Sequence, residues 1–255
     1  MAGNIDLLPE TDSPLRRLDP RWKLAGLLLA VVATTFLRQL PTAALGLADA
    51  VALVLLGRLP PRWCLTRLGT MLLMVLPFML LLPLLPDDGP AWHVGAIRVS
   101  RHGVDSALVL GAKTATIVLL VLVLLGTAPL SATLKAAQSL HMPGLAVQLA
   151  VLTYRYIFVL AGELQRLRIA LRVRAYRNRP TLHCYRTIGN VAGTLLVRGY
   201  ERAERVSQAM RCRGFDGTFR SLTEFRTTAW DVLAFMAIAG TAAGLVAVEW
   251  CGAAN

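Results

Sequence analysis

The chain has four cysteines in 255 residues, and Cys64, Cys184, Cys212 and Cys251 fall at no paired spacing. Neither a disulfide framework nor a Cys-type zinc site is indicated, and the thiols are expected to serve as small apolar residues. Acidic residues are scarce, 15 Asp and Glu against 27 Lys and Arg. No phosphate-binding loop of the Gly-x-x-x-x-Gly-Lys-Ser/Thr kind occurs, and no Gly-x-Ser-x-Gly, His-Glu-x-x-His or Asp-x-x-x-Asp. Covalent and hydrolytic chemistry therefore has no visible site, and no catalytic residue or bound cofactor is expected. His93 and His102 lack a carboxylate or cysteine at ligand spacing, so no metal site is expected either.

Apolar residues are abundant. They make up 55% of the chain, and the mean hydropathy is +0.55. These values exceed those of a soluble domain and fit an all-α polytopic membrane protein. The net charge of +12 has a definite location. Between Ala128 and Thr228 stand sixteen Lys and Arg against five acids. Stacking aromatics are not interleaved with those arginines, which argues against nucleic acid as a partner. The bias of basic residues toward the cytoplasmic side explains it more economically, with acidic membrane lipids or an acidic protein groove as partners. The N-terminus opens with Asp6, Glu10 and Asp12 and not with a basic, cleavable leader; it is expected to be cytoplasmic.

In chain order, Asp19 and Pro20 read as the cap and first position of a helix whose apolar span is 22–37, with Trp22 at the headgroup boundary. A turn at Arg38-Gln39-Leu40-Pro41 returns a short span over 42–57; the pair could equally be one re-entrant hairpin. Arg58, Arg62 and Arg67 mark a loop, and a third span covers 68–85, with Pro77 and Pro83 as kinks. A polar loop over 86–105 carries a weak hairpin signal at 92–99. The fourth span covers 106–126 and the last 230–250, where Gly240 and Gly244 would admit a close neighbour. The resulting domains are 1–127, with a tail and four spans, a cytoplasmic pair of helices over 128–228, and a final span over 229–255. Asp49 and Lys113 lie at similar depth in their spans. Two readings stay open for them: an intramembrane ion pair, or a snorkelling Lys113 with Asp49 facing a partner protein or water.

Residues 145–214 stand apart. Leu145, Leu149, Leu152, Tyr156, Leu160, Leu164, Leu167 and Leu171 recur at steps of three and four and form one helix face. After Asn178-Arg179-Pro180 a second amphipathic helix runs from about Tyr185 to Arg213, with Gly189 and Gly193 as the expected crossing with the first. The helices end alike, in Val173-Arg174-Ala175 and Cys212-Arg213-Gly214. One arginine near a helix C-terminus complements the dipole. Two matched endings point to a socket contact.

Leu18-Asp19-Pro20-Arg21-Trp22-Lys23-Leu24, Tyr154-Arg155-Tyr156-Ile157-Phe158-Val159-Leu160 and the run from Glu204 to Gly217 (ERVSQAMRCRGFDG) resemble the transmembrane T component of energy-coupling factor transporters, nearest the cobalt-type CbiQ branch. The resemblance implies a coupling subunit of an ATP-driven importer in the bacterial inner membrane, for cobalt, or for nickel or a vitamin. It implies two ATP-binding cassette ATPase subunits as partners, docked at Arg174 and Arg213, and a separate membrane subunit that binds the substrate. ATP would be used by those partners. Val173 and Cys212 precede the arginines where alanine is usual, and Ala175 and Gly214 follow them.

Overall fold

The structure is a computed structural model that describes residues 13, 15, 18–84, 91–94, 97–140, 142–177, 179–215 and 227–253. The N-terminal polar segment through Asp12, Asp87, Asp88 and the stretch that follows Phe215 lie outside them. The described residues fall into two compact units, one of 13–140 with 227–253, the other of 142–215.

The first unit is a helical bundle. It holds α1 (Pro20–Phe36), α2 (Leu40–Leu56), α3 (Pro61–Leu81, closed by a 3-10 turn at Leu82–Leu84), α4 (Arg101–Thr127), α5 (Leu130–Ser139) and α8 (Ala229–Ala253). A two-stranded antiparallel hairpin, β1 (Ala91–Val94) and β2 (Ile97–Ser100), precedes α4 with Trp92 opposite Val99. The hairpin that 92–99 suggested is present. The second unit holds α6 (Gly144–Val173) and α7 (Leu182–Cys212).

Among the described residues, α3 with its 3-10 turn, α4, α6 and α8 are long and apolar enough to cross a membrane, and α2 is a shorter apolar helix. The chain is an all-α polytopic membrane protein with one small hairpin. Residues 22–57 form two helices of 17 residues each, about 25 Å long, joined through Leu37-Arg38-Gln39. Of the arginines placed in a loop ahead of the third span, Arg58 does lie in a turn, but Pro61 takes the first position of α3, so Arg62 and Arg67 ride on that helix. Residue α6 length and hydropathy also qualify it as a span; its arginine-rich second half and its pairing with α7 set it apart.

Helix α4 is the centre of the bundle. Leu119, Leu120, Leu122 and Val123 bury against α1, α2 and α3 and join Leu27, Ala30, Ala50 and Leu53 in one core. Gly103 is required where α4 meets the 3-10 turn: a Cβ there would lie 2.6 Å from the Leu82 carbonyl oxygen. Helix α8 lies along α1, with Trp22 and Phe235 edge to face at 5.2 Å.

Charged side chains satisfy the helix ends, whose first amides and last carbonyls have no partner within the helix. At the start of α1, Asp19 accepts from the Arg21 amide at 3.1 Å, as its position ahead of Pro20 predicted. The Asp19 amide donates at 2.8 Å to Asp231 of α8, whose second oxygen accepts from the Thr228 amide at 2.7 Å. At the other end of α8, Glu249 accepts from the amides of Arg38, at 2.8 Å, and Gln39, at 3.1 Å, and from the Thr42 hydroxyl. Both carboxylates are buried, and the 18 residue steps from one to the other span about 27 Å, close to the thickness of a bilayer core.

Two lysines serve the carbonyl ends. Buried Lys23 donates to Thr127, the last residue of α4, at 3.2 Å, and to the Leu15 carbonyl at 2.8 Å. Lys113 donates at 3.0 Å to the Thr35 carbonyl in the last turn of α1. Asp49 has a different neighbour, the Thr241 hydroxyl at 3.4 Å. No ion pair joins Asp49 to Lys113 among the described residues. Matching sign and depth did not identify the partners, because the orphan carbonyls at the end of α1 claim the ammonium.

Glu249→Ala leaves two amides and a hydroxyl without an acceptor in a water-poor interior. It should lower unfolding stability in detergent by about 3–5 kcal/mol, and Glu249→Gln, which keeps one acceptor oxygen, by less than Glu249→Ala. Thermal melts followed by circular dichroism measure the difference.

Candidate docking site at two helix tips

Helix α7 begins at Leu182, earlier than the sequence pattern suggested, because the Thr181 hydroxyl accepts from the Cys184 amide. It runs antiparallel to α6. Leu160 packs over Gly199 at 3.7 Å from a Cβ built there, and Glu163 of α6 meets Arg198 and Arg202 of α7 at 3.3 and 3.4 Å. Glu163 also holds Arg166 at 3.3 Å. One acid thus clasps three guanidiniums where the helices meet. Each partly exposed pair is worth less than about 1 kcal/mol; the geometry they fix matters more than their strength.

Gly189 and Gly193 are not at this meeting point, since no atom lies within 4 Å of a Cβ at either. The close approach is at Gly199, six residues beyond Gly193 along α7. The signal available in the sequence was Glu163, a lone acid in the arginine-rich part of α6.

The two predicted arginine motifs share one backbone conformation. At the end of α6, Arg174 has φ −83° and ψ 19°, and at the end of α7, Arg213 has φ −92° and ψ 12°. The next residue is left-handed in both, Ala175 at φ 55° and Gly214 at φ 77°. The Ala175 amide donates to Arg172 and the Tyr176 amide to Leu171; the Gly214 amide donates to Arg211 and the Phe215 amide to Met210, all at 3.0–3.1 Å. Both ends are Schellman caps. The aligned stretches, Arg172-Val173-Arg174-Ala175-Tyr176 and Arg211-Cys212-Arg213-Gly214-Phe215, expose their first four residues and half-bury the aromatic. The leading arginine and the closing aromatic went unnoticed in the sequence, though their matched spacing was there to see.

The cap turns the chain away from the helix and leaves the arginine at an exposed end. Val173 is 83% exposed beside Arg174. Arg172, Arg174, Arg211 and Arg213 form no ion pair among the described residues. Each tip therefore offers a permanently charged fork with a small neighbour, suited to a carboxylate-lined socket. Tyr176 anchors the first tip to the start of α7 through its hydroxyl and the Cys184 thiol. That hydrogen bond, more than burial, holds the phenol above its ordinary range. Beyond the clasp, α6 and α7 enclose an apolar groove of about 600 Å³ lined by Leu149, Leu152, Tyr156, Val206, Met210 and Phe215.

Residues 11–225 match the cobalt transport protein family, CbiQ. The chain belongs to that family. It is similar to the nickel permease LarQ of Lactiplantibacillus plantarum, 31% identical over 226 residues that cover 89% of this chain and 77% of the relative. It is similar to the energy-coupling factor transporter transmembrane protein EcfT of Bacillus subtilis, 26% identical over 230 residues, 86% of each chain. An uncharacterized protein of Methanocaldococcus jannaschii is 28% identical over 142 residues, 56% of this chain and 53% of that one. As a CbiQ family member, the chain is a membrane component of a transport system, and both tip motifs lie inside the matched residues.

Two outcomes test the tip geometry. Ala175 pays for its left-handed backbone, so Ala175→Gly should stabilise α6 by about 0.5–1 kcal/mol, whereas Gly214→Ala should weaken α7 by about 1 kcal/mol; hydrogen exchange at the Tyr176 and Phe215 amides reads both. The raised Tyr176 pKa means that the folded tip keeps its proton longer than the unfolded chain as pH rises. Its contribution is present below the ordinary tyrosine range and lost above it, and Cys184→Ala should move the phenol titration, read by ultraviolet absorbance, downward.

Proposed function

We propose that this CbiQ family protein is the transmembrane coupling subunit of an energy-coupling factor importer for cobalt ions. The observation that carries the reading is the repeated tip. One cap geometry and one five-residue pattern occur at opposite ends of an antiparallel helix pair, separated by the 31 residues of α7, about 46 Å. Two like tips on one chain fit two like sockets on two like partners. The partners are two ATP-binding cassette ATPase subunits, each receiving one arginine, Arg174 or Arg213, in an acidic groove. A substrate-capturing membrane subunit completes the assembly, and this chain carries force between them without catalysing a reaction.

Several observations support the reading. The EcfT name of one relative places that protein in such a transporter. The arginines of 142–215 make that unit strongly basic, with thirteen against three acids, as a cytoplasmic unit facing acidic partners and anionic lipid would be. The chain then resides in the bacterial inner membrane with its N-terminus in the cytoplasm. Closure of the ATPases on ATP would displace the tips, and the continuous helices pass that displacement to the membrane spans. A nickel importer is the second reading, favoured by the LarQ relative.

The test is copurification of co-expressed cognate ATPases with wild type, Arg174→Glu, Arg213→Glu and Arg168→Glu. An arginine withdrawn from a desolvated carboxylate socket should weaken docking by roughly 3–5 kcal/mol, against about 1 kcal/mol or less for one that only complements a helix dipole. Both tip variants should lose the ATPases and Arg168→Glu should keep them. Equal retention by all three variants would remove the socket mechanism.

A further inference from the structure

Asp49 is an acid near the middle of an apolar helix, ten residues into the 17 of α2. Its neighbour within the chain is the Thr241 hydroxyl, 3.4 Å away. That hydroxyl has one hydrogen, and the Ile238 carbonyl lies closer to the oxygen, at 2.9 Å. The proton cannot serve both acceptors, so the carboxyl group has at most a shared donor. The two lysines of the neighbouring bundle helices are occupied elsewhere, Lys113 by the Thr35 carbonyl and Lys23 by the carbonyls of Leu15 and Thr127, and among the described residues no arginine pairs with Asp49. Asp231 and Glu249 are fully engaged with amides and a hydroxyl. Among the described acids of α2 and α8, Asp49 is the one that receives no backbone amide.

An acid at this depth is costly in hydrocarbon, and such groups face a bundle interior, a water-filled cavity or a partner. Asp49 is half-buried, and the surface around it is open and low. Leu45, Ala48 and Ala52 of α2 are exposed beside it, and across the seam Ala237, Gly240 and Gly244 of α8 are exposed too. A Cβ on Gly240 or Gly244 would meet nothing within 4 Å. Five of these six residues are alanine or glycine, so a helix backbone can come close to the carboxyl group.

We infer that the seam between α2 and α8 at Asp49 and Thr241 docks a transmembrane helix of a partner membrane subunit, one that presents a lysine or arginine near the bilayer middle. The basic group supplies the donor that the chain itself withholds from Asp49, and the small residues set the depth of approach. The charge is complementary, and neither side then holds an unpaired ion in lipid. This surface is separate from the arginine tips and does not depend on how they are used.

The test uses the full chain, fluorescently labelled and reconstituted in phosphatidylcholine vesicles with transmembrane peptides of leucine and alanine. One peptide carries a single central lysine, a second has leucine there, and a third has its lysine moved seven residues toward one end. Energy transfer should show the central-lysine peptide binding the wild type ~3- to 20-fold more tightly than the leucine peptide, the range of one interhelical polar contact. The preference should vanish with the displaced lysine and in both Asp49→Leu and Asp49→Asn; the asparagine variant, nearly the same shape, guards against a folding defect in the leucine one. Equal binding of all peptides to wild type would overturn the inference, as would a lysine preference that survives Asp49→Leu. A preference retained by Asp49→Asn would overturn the basic partner. Energy transfer between copies of the chain that disappears in Asp49→Leu would assign the seam to self-association and overturn the partner helix.

Discussion

Helix ends are the expensive part of a helical membrane protein, because water is not there to meet the orphan amides and carbonyls. In this chain acidic and basic side chains meet them. Asp231 and Glu249 receive amides at the two ends of α8, while Lys23 and Lys113 reach carbonyls in the last turns of α4 and α1. The signs agree with the dipole of the helix end that each group reaches: the acids meet amides at the starts of helices and the lysines meet carbonyls at their ends, although Glu249 itself lies near the carboxyl end of α8 and Lys23 near the start of α1. Short helices become possible under this arrangement. Helices of 17 residues can stop inside the bundle because a side chain from a neighbouring helix finishes their hydrogen bonding.

The second unit solves a related problem at a surface. Its helix ends close on themselves through the backbone, with a left-handed residue and an aromatic that folds back on the last turn. No foreign side chain is needed, and among the described residues the arginine just before the turn forms no ion pair. The cap at Arg174 is made with alanine in a conformation that glycine adopts more easily, and the cap at Arg213 is made with glycine. The common geometry persists across that difference, which points to a requirement on shape more than on residue type.

Local chemistry was the part most open to reading. Asp19 before Pro20, the three-and-four spacing from Leu145 to Leu171, and the small-arginine-small endings each determine structure within a few residues, and the helices formed accordingly. Long-range choices were hidden. Lys113 and Asp49 looked like partners because they share depth and have opposite sign, yet the choice of partner depended on where α1 ends, and nothing near either residue reveals that. Gly189 and Gly193 looked like a crossing by the rule that small residues allow close approach. The helices instead met at Gly199, where Glu163 could hold Arg198 and Arg202. Asp231 and Glu249 bond to residues more than 200 positions away, so their roles lie beyond any local pattern.

Helix α7 carries one tip at its end and, through Tyr176 and Cys184, is tied to the other at its beginning. A rod of fixed length stands between the two tips. Bodies holding its ends cannot change their spacing by stretching or compressing it; any approach between them must emerge as a swing of the rod about the Glu163 clasp, as handles turn a pair of shears. In the proposed assembly the helix would convert linear closure of the two partners into angular travel, and its stiffness, more than the strength of either contact, would set how faithfully that travel is delivered.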